Sequence, residues 1–300
     1  MKNPAPRTVV DPTTGRPILL APQRQLRPIQ TGDDRGPSRC PFCRGHEHDT
    51  PPELDRESDG HGWAVRAVPN KYPAARHHEV VAEGGAHAEH PSELDLATWT
   101  ALVRIWQRRV RAIEAADGVA FAYLFKNVGA RAGASIAHNH SQLIGLATLP
   151  PRLELERQQQ RAAGTCLTCR ALELATRDDL VVCDDGAFVV LAPSPPKLPF
   201  ESWLLPRRCE GDFLQADPAA LAHTLRTWTR AVDGALDRPA LNLWLHRVPP
   251  ALLAPGEGFH WHFELQPRTG QLAGLELGGD MYINSVPPET TCARLRAALR

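Results

Sequence analysis

The amino-acid sequence predicts an α+β protein that contains two tandem copies of one folding unit, because the same pair of motifs occurs twice along the chain. The copies share a C-x-x-C motif, at residues 40–43 and 166–169, and an H-x-H motif, at residues 138–140 and 260–262. The spacing is shared too, since His138 follows Cys43 by 95 residues and His260 follows Cys169 by 91. Such self-similarity indicates an internal duplication. We therefore expect one unit at residues 1–151 and a second at residues 152–300.

A helix is predicted before the H-x-H motif of each copy. Residues 93–115 place apolar side chains at helical spacing, with Arg and Glu residues on the other face. These apolar residues are Leu94, Trp99, Leu102, Ile105, Trp106 and Val110. Residues 218–236 have a matching pattern, and strand-like segments follow the two helices at 121–126 and 241–245. The polar residues 152–164 suit a connecting helix, and the Pro- and Gly-rich residues 28–39 and 246–258 suit loops.

The composition is that of a globular protein without a charge bias. Of 300 residues, 42% are apolar and 23% are charged, and 34 basic residues balance 34 acidic ones. This balance gives no electrostatic reason to expect binding to nucleic acid or to an anionic membrane. No apolar run is long enough to span a membrane, and the Pro-rich N-terminus lacks the apolar core of a secretory signal. We expect a cytoplasmic protein with reduced cysteines, in which cysteine pairs favour metal over disulfides.

The first H-x-H motif is predicted to lie on a strand and to carry the chemistry. Because side chains alternate along a strand, His138, His140 and Gln142 would project from one face. The glycine-containing loop at 129–135 would let backbone N–H groups approach phosphate oxygens. Imidazole can relay a nucleotide as nucleophile and leaving group, and a nearby amide can donate to the phosphoryl oxygens. The alternative is a pair of ordinary polar positions on a half-exposed strand, but the repetition of the motif favours the functional interpretation.

The C-x-x-C motifs predict zinc sites. Cys40 and Cys43 have the spacing of a zinc knuckle, and His138 is a candidate third ligand. The candidates for the fourth place are His46, His48, His87 and His90. A redox pair or free structural thiols are the alternatives for the two cysteines. The second site would combine Cys166, Cys169 and His260 with either Cys209 or His246. Closed four-ligand sites of this kind have a structural role.

Five segments, in this order, resemble the galactose-1-phosphate uridylyltransferases, a family of the histidine-triad superfamily whose close relatives include the ADP-glucose phosphorylases. They are C-P-F-C at 40–43, V-P-N-K-Y-P at 68–73, N-V-G at 127–129, H-N-H-S-Q at 138–142 and F-H-W-H-F-E at 259–264. Residues 273–284, A-G-L-E-L-G-G-D-M-Y-I-N, also resemble the family's C-terminal signature. The resemblance extends from about Arg24 to the C-terminus. It implies tandem duplicated histidine-triad-like units with antiparallel sheets and packed helices.

The resemblance also implies roles for individual residues. His140 would form a nucleotidyl-histidine intermediate, and Gln142 would contact the transferred phosphoryl group. The implied ligands of the first zinc are Cys40, Cys43, His90 and His138. Those of a second zinc are Cys166, Cys169, Cys209 and His260, with Cys209 standing where some relatives have histidine. The implied substrate contacts are Arg24 and Arg27 to phosphates, Asn70 to base and ribose, Asn127 to the α-phosphate and Glu276 to sugar hydroxyls.

The chain departs from the family pattern at three positions near these residues. Asn139 replaces a proline, Lys71 replaces an acidic residue, and Ser141 is typical of the phosphorylase-like relatives. Nucleotidyl transfer is still predicted despite these departures, but they affect the prediction of which base and which sugar are used.

The activity implied by the resemblance is ping-pong transfer of a nucleoside monophosphate, UMP by preference, from a nucleotide sugar to a sugar 1-phosphate. This is the reaction of a UDP-glucose–hexose-1-phosphate uridylyltransferase in galactose metabolism. ADP-glucose phosphorylase-like transfer to phosphate, nucleotide hydrolysis by a histidine-triad hydrolase and a non-catalytic zinc-binding scaffold are the alternatives. The expected partners are a nucleotide sugar and a sugar phosphate or phosphate. The expected protein is a homodimer with one or two Zn²⁺ ions.

Overall fold

The computed structural model describes residues 5–27 and 40–300. The described strands are β1 (Arg7–Val10), β2 (Pro17–Leu20), β3 (Asp55–Ser58), β4 (Trp63–Pro69), β5 (His78–Glu83), β6 (Phe121–Val128), β7 (His140–Leu146), β8 (Val181–Asp184), β9 (Phe188–Leu191), β10 (Ser202–Pro206), β11 (Leu241–His246) and β12 (His262–Pro267). The described α-helices are α1 (Leu96–Glu114), α2 (Pro151–Ala163), α3 (Leu167–Arg177), α4 (Pro218–Leu236), α5 (Gly274–Gly279) and α6 (Pro288–Ala297). The loop predicted at 28–39 lies outside the described residues.

Ten of these strands form one antiparallel sheet, in the order β3-β4-β5-β7-β6-β11-β12-β10-β9-β8. The first half has the order β3-β4-β5-β7-β6 from one edge of the sheet to its centre. The second half has the matching order β8-β9-β10-β12-β11 from the other edge to the centre. The two halves meet where β6 pairs with β11, with Asn127 opposite Asn242. The predicted duplicated α+β fold with antiparallel strands is therefore confirmed. The predicted boundary between residues 151 and 152 falls at the start of α2, and the division into units at that point stays a prediction.

Helices α1 and α4 cover one face of the sheet and form the main core with it. Both begin at an aspartate whose carboxylate accepts a backbone N–H of the first turn, from Thr98 to Asp95 and from Ala220 to Asp217. Their apolar stripes bury Trp99, Trp106 and Trp228 completely, as the periodicity of the sequence predicts. Burial of such large apolar side chains is the main stabilising contribution to a fold of this kind.

The opposite face of the sheet carries His140 and Gln142, the residues predicted to take part in the reaction. Because strand residues alternate, the register that sends Ser141 and Leu143 toward α1 sends His140 and Gln142 to this face. Helix α2, near the predicted 152–164, covers only the middle of the face, where Leu153 packs in a small cluster with Phe121. The helices α3, α5 and α6 were not predicted from the sequence. Among the helices of the described residues, none combines the length and the apolar character that crossing a bilayer requires.

Candidate active site and metal centres

A cavity of about 480 Å³ opens beside β7, and both His140 and Gln142 line it. Their neighbours on β5 are small, since Ala82 lies opposite His140 and Val80 lies opposite Gln142. Phe42, from the first cysteine pair, closes one side with its ring centroid 5.4 Å from that of His140. The cavity is large enough to hold part of a nucleotide, with a histidine and an amide in its wall.

His140 is held in one tautomer. Its Nδ1 lies 2.8 Å from the backbone carbonyl oxygen of His138, so Nδ1 carries the hydrogen and donates it. Nε2 then keeps its lone pair. Burial lowers the pKa of His140 to about 4, against an opposing contribution from the hydrogen bond to His138. The imidazole is therefore neutral at physiological pH, which is the state required of a nucleophile.

Gln142 contacts His78, which does not itself line the cavity, and His78 in turn lies beside Asn70. Oε1 of Gln142 lies 3.0 Å from Nε2 of His78, a buried residue at the start of β5. Nδ1 of His78 accepts the backbone N–H of Ala74 at 2.9 Å. Asn70, predicted as a substrate contact, also lines the cavity, and its Oδ1 accepts the backbone N–H of Tyr72 at 2.8 Å. Sequence reasoning missed His78, because only the pairing of β5 with β7 brings it beside Gln142.

The glycine loop before β7 takes the conformation that its sequence suggests. Gly129 has a φ of +78°, and a Cβ built there would lie 3.0 Å from Cβ of Ala240. Gly133 has a φ of +87° and lines the cavity together with Ser135. Residues other than glycine adopt such φ values only with strain. The loop is therefore positioned to bring backbone groups close to a bound ligand.

A group of four side chains beside His140 could hold a metal ion. It comprises Cys40, Cys43, His87 and His138, whose ligand atoms lie within 4.8 Å of one another. The Sγ–Nδ1 distances are 3.4 Å from Cys40 to His138, 3.5 Å from Cys43 to His138 and 3.3 Å from Cys43 to His87. Tetrahedral zinc places its sulfur and nitrogen ligands about 3.5 Å apart. Burial also raises the pKa of Cys40 to about 12, so a thiolate there needs a cation beside it.

The fourth member of this group is His87, and the assignment of His90 is corrected. Ala88 accepts the backbone N–H of Asn139 at 2.7 Å, and this contact brings residue 87 beside His138. His90 lies elsewhere, with Nδ1 3.4 Å from the carboxylate of Asp233. The other two candidates are also outside the group: His46 contacts the carbonyl oxygen of Cys40 through Nδ1, and His48 is exposed.

The second half contains a matching group of Cys166, Cys169, Cys209 and His260, with ligand atoms within 4.8 Å of one another. Cys169 Sγ lies 3.4 Å from His260 Nδ1, and Nε2 of His260 lies 2.9 Å from the carbonyl oxygen of Pro206. In the first half, Nε2 of His138 contacts the carbonyl oxygen of Gly84 at 3.0 Å in the same way. Of the two candidates left open by the sequence, the structure brings Cys209 to this group and not His246.

The position that corresponds to His140 in the second half is His262, and it is enclosed. The indole of Trp203 stacks on His262, with ring centroids 4.8 Å apart. Glu264, which corresponds to Gln142, accepts hydrogen bonds from Arg152 at 2.6 Å and Lys197 at 3.2 Å. Among the described residues, side chains therefore pack against His262 and Glu264 where the cavity borders His140 and Gln142.

His262 is also part of a third group of possible metal ligands, with Glu156 and His246. Nδ1 of His246 lies 3.0 Å from a carboxylate oxygen of Glu156, which extends from α2. Sequence reasoning missed Glu156, since its place in the connecting helix carries no motif.

The remaining predicted substrate contacts are distributed over three places. Arg27 lines the cavity, and Arg24 donates to the carbonyl oxygen of Tyr72 at 2.8 Å. Asn127 lies at the centre of the sheet and accepts a hydrogen bond from Asn242 at 2.7 Å. Glu276 is in α5, where its carboxylate accepts the backbone N–H of Ala273, and it does not line the cavity.

The chain is similar over nearly its whole length to enzymes that transfer nucleotidyl groups. The chain is 28% identical to an ADP-glucose phosphorylase of Arabidopsis thaliana, over 99% of this chain and 94% of the relative. It is 25% identical to a galactose-1-phosphate uridylyltransferase of Thermotoga maritima, over 95% of this chain and 96% of the relative. The expected relationship to these two kinds of enzyme is confirmed.

Solved structures show the same relationship. An ADP-glucose phosphorylase of Arabidopsis thaliana with bound ADP-glucose superposes with a TM-score of 0.77 at 28% identity, covering 97% of this chain and 99% of that one. A uridylyltransferase superposes with a TM-score of 0.80 at 27% identity, covering 97% and 98%. The model of the family described as "Domain of unknown function (DUF4921)" matches residues 73–300, and the chain belongs to that family.

Proposed function

We propose that the protein is a nucleotidyltransferase in which His140 carries a nucleoside monophosphate between two phosphate-bearing substrates. The observation that supports this most directly is the neutral His140 imidazole, with Nδ1 fixed by the carbonyl of His138, at the wall of the cavity. Gln142 lines the same wall and would donate to the phosphoryl oxygens as charge develops on them.

The reaction proceeds in two displacements. Nε2 of His140 attacks the α-phosphorus of a nucleoside diphosphate sugar, and the bond to the bridging oxygen breaks, so the sugar 1-phosphate leaves with the electron pair. A phosphate oxygen of the second substrate then attacks the same phosphorus. The P–N bond breaks, and its electron pair returns to Nε2. Imidazole serves both steps because it is nucleophilic when neutral and a good leaving group from phosphorus.

Two substrate pairs are candidates. UDP-glucose with galactose 1-phosphate is the pair expected from the sequence. ADP-glucose with inorganic phosphate is favoured by the phosphorylase of Arabidopsis thaliana, which matches 99% of this chain and has been solved with ADP-glucose. Arg24 and Arg27 would bind phosphates, Asn70 the base and ribose, Asn127 the α-phosphate and Glu276 the sugar. A homodimer, a cytoplasmic location and a part in galactose metabolism remain predictions.

The covalent intermediate provides the test. The protein is incubated without acceptor with each nucleotide sugar carrying ³²P in the α-phosphate, and the denatured chain is assayed for acid-labile, alkali-stable label. We expect stoichiometric labelling from one of the two donors and none in His140→Ala. His223→Ala, which changes an exposed histidine of α4, is the matched control and should label like the wild type. Absence of label from both donors would refute the proposal.

Zinc is proposed as the resident metal of both four-residue groups, where it would brace the loops around the site. Each group offers soft sulfur and imidazole ligands at tetrahedral spacing, a donor set that suits zinc. Elemental analysis should find two zinc ions per chain in the wild type and one in Cys209→Ala. Cys209→His should keep both, because imidazole is a zinc ligand as well.

A further inference from the structure

His78 is a buried histidine beside the cavity that the two displacements do not use directly. It is the first residue of β5, lies opposite Ile144 of β7, and is only 4% exposed. Its ring contacts the side chain of Gln142, which is diagonal to it across the two strands. The sheet therefore fixes the position of His78, and Gln142 lies between His78 and the cavity.

The hydrogen bonds of His78 define its tautomer. The backbone N–H of Ala74 points at Nδ1 at 2.9 Å, so Nδ1 is an acceptor and carries no hydrogen. Burial lowers the pKa of His78 to about 4, so the ring is neutral and has one hydrogen at physiological pH. That hydrogen must be on Nε2, which therefore donates to Oε1 of Gln142 at 3.0 Å.

This donor fixes which end of the Gln142 amide faces His78. An amide group has a donor end and an acceptor end of nearly equal size, and only its hydrogen-bond partners decide between the two orientations. Because Nε2 of His78 is a donor, the oxygen of Gln142 faces it and the NH₂ group is the end directed to the site of transfer. With the opposite orientation, Gln142 would present an oxygen to the negatively charged phosphate.

Asn70 does not compete for this role. Its Oδ1 accepts the backbone N–H of Tyr72, so its NH₂ group is the end that lies 3.2 Å from Nε2 of His78. Both atoms are donors, and this contact is therefore not a hydrogen bond in the tautomer defined by Ala74. The amide of Asn70 lines the cavity and can donate to a ligand instead.

We propose that His78 is a positioning residue for nucleotidyl transfer: its Nε2–H holds Gln142 with the amide NH₂ group aimed at the transferred phosphoryl group. This inference rests on the proposed function. His78 itself touches neither the substrate nor His140 in this arrangement, and its effect passes entirely through Gln142.

Two substitutions separate this role from a purely structural one. His78→Asn keeps an oxygen near Nδ1 for the N–H of Ala74, but its side chain is too short to reach Gln142. His78→Gln keeps a donor near the position of Nε2. Each is made in the wild type and in Gln142→Ala, and the rate of adduct formation is measured in single turnovers at saturating donor, together with the affinity for the donor and the melting temperature.

We expect His78→Asn to slow adduct formation by about 10- to 100-fold, as loss of one well-aimed donor to a developing charge does, with less than about a threefold change in affinity. His78→Gln should restore most of the rate. In the Gln142→Ala background, His78→Asn should change the rate by less than about twofold, because the amide through which it acts is gone.

The outcomes are distinguishable. The positioning role would be overturned if His78→Asn slowed adduct formation equally in the wild type and in Gln142→Ala. It would also be overturned if the rates of His78→Asn and His78→Gln simply followed their melting temperatures. Either result would leave the transferase proposal intact. A wild-type protein that forms no adduct with either nucleotide sugar would overturn both.

Discussion

Nδ1 of His140 lies 2.8 Å from the backbone carbonyl oxygen of His138, whose own imidazole lies within 3.5 Å of two cysteine sulfurs. One residue therefore belongs to the predicted zinc site and also fixes the tautomer of the predicted nucleophile. Nε2 of His138 is held as well, at 3.0 Å from the carbonyl oxygen of Gly84. The predicted zinc site and the predicted nucleophile are thus linked through His138, which lies two residues before β7 begins at His140.

Loss of the proposed first zinc should impair adduct formation, although the proposed mechanism gives this zinc no contact with the substrate. Cys43→Ser should lose one metal ion per chain, lower the melting temperature and slow labelling of His140 by about 10-fold or more, as changes around metal-held residues commonly do. Metal content, melting temperature and single-turnover rate are measured on the same preparation. Cys183→Ser, at a cysteine of β8 outside both groups, is the control. Full activity in a Cys43→Ser protein that has lost this one metal ion would show that the first site is not needed for adduct formation.

The nucleotide should reside on His140 alone, despite the second H-x-H motif. Trp203 stacks on His262, and the adjacent Glu264 is engaged by Arg152 and Lys197. His262→Gln should therefore retain at least about half of the wild-type rate of adduct formation, since the substituted ring lies outside the cavity. Mass spectrometry of proteolytic fragments locates the label. Label on the peptide that contains residue 262 would contradict this prediction.

Replacing only one partner of the ion pair between Lys126 and Glu83 should destabilise the folded protein. The pair is buried in the core, at 1% and 0% exposure, and joins the two strands that flank β7. Lys126→Met leaves a buried carboxylate without its partner and should reduce the free energy of unfolding by about 3 to 5 kcal/mol. The double variant Lys126→Met/Glu83→Gln should recover much of this loss in urea denaturation. An equal loss in the single and the double variant would mean that packing, not charge, sets the cost.

His78 should make the folded state sensitive to mild acid. Burial lowers its pKa from 6.5 to about 4, so the unfolded chain binds a proton more tightly than the folded one. Stability from this group is complete above pH 6.5 and is lost as the pH falls from 6.5 to about 4. Across this window His78→Gln should lose about 3 kcal/mol less free energy of unfolding than the wild type. Parallel pH profiles of wild type and variant in urea denaturation would contradict this; His223→Gln serves as the exposed control.

The sequence predicted those parts of the fold and of the site that produce a recognisable pattern along the chain. The helices α1 and α4 and the alternation of His140 and Gln142 each depend on residues close together in the chain, and the duplication shows as short motifs repeated at nearly equal spacing. The choice of His87 over His90 depends on a contact between residues 88 and 139, which no local pattern encodes.

The same reason explains the residues that sequence reasoning missed. His78 and Gln142 are 64 residues apart, and Glu156 and His246 are 90 apart. They meet only through strand register and through the path of α2 across the sheet. The register of β5 against β7 is a tertiary property, set by burial of one face, and a single residue of slip would send His78 into the core.

The pairing of β6 with β11 gives the protein one uninterrupted sheet where its sequence has two copies of a unit. If the chain were cut in α2, each fragment would have a newly bared strand edge with unsatisfied backbone donors and acceptors. The edge at β6 is complementary to the edge at β11. Because the two halves are copies of one unit, each edge is also complementary to the same edge of a second identical fragment. Separately produced halves would accordingly associate with each other or pair with a second copy of themselves, and neither would persist as a monomer.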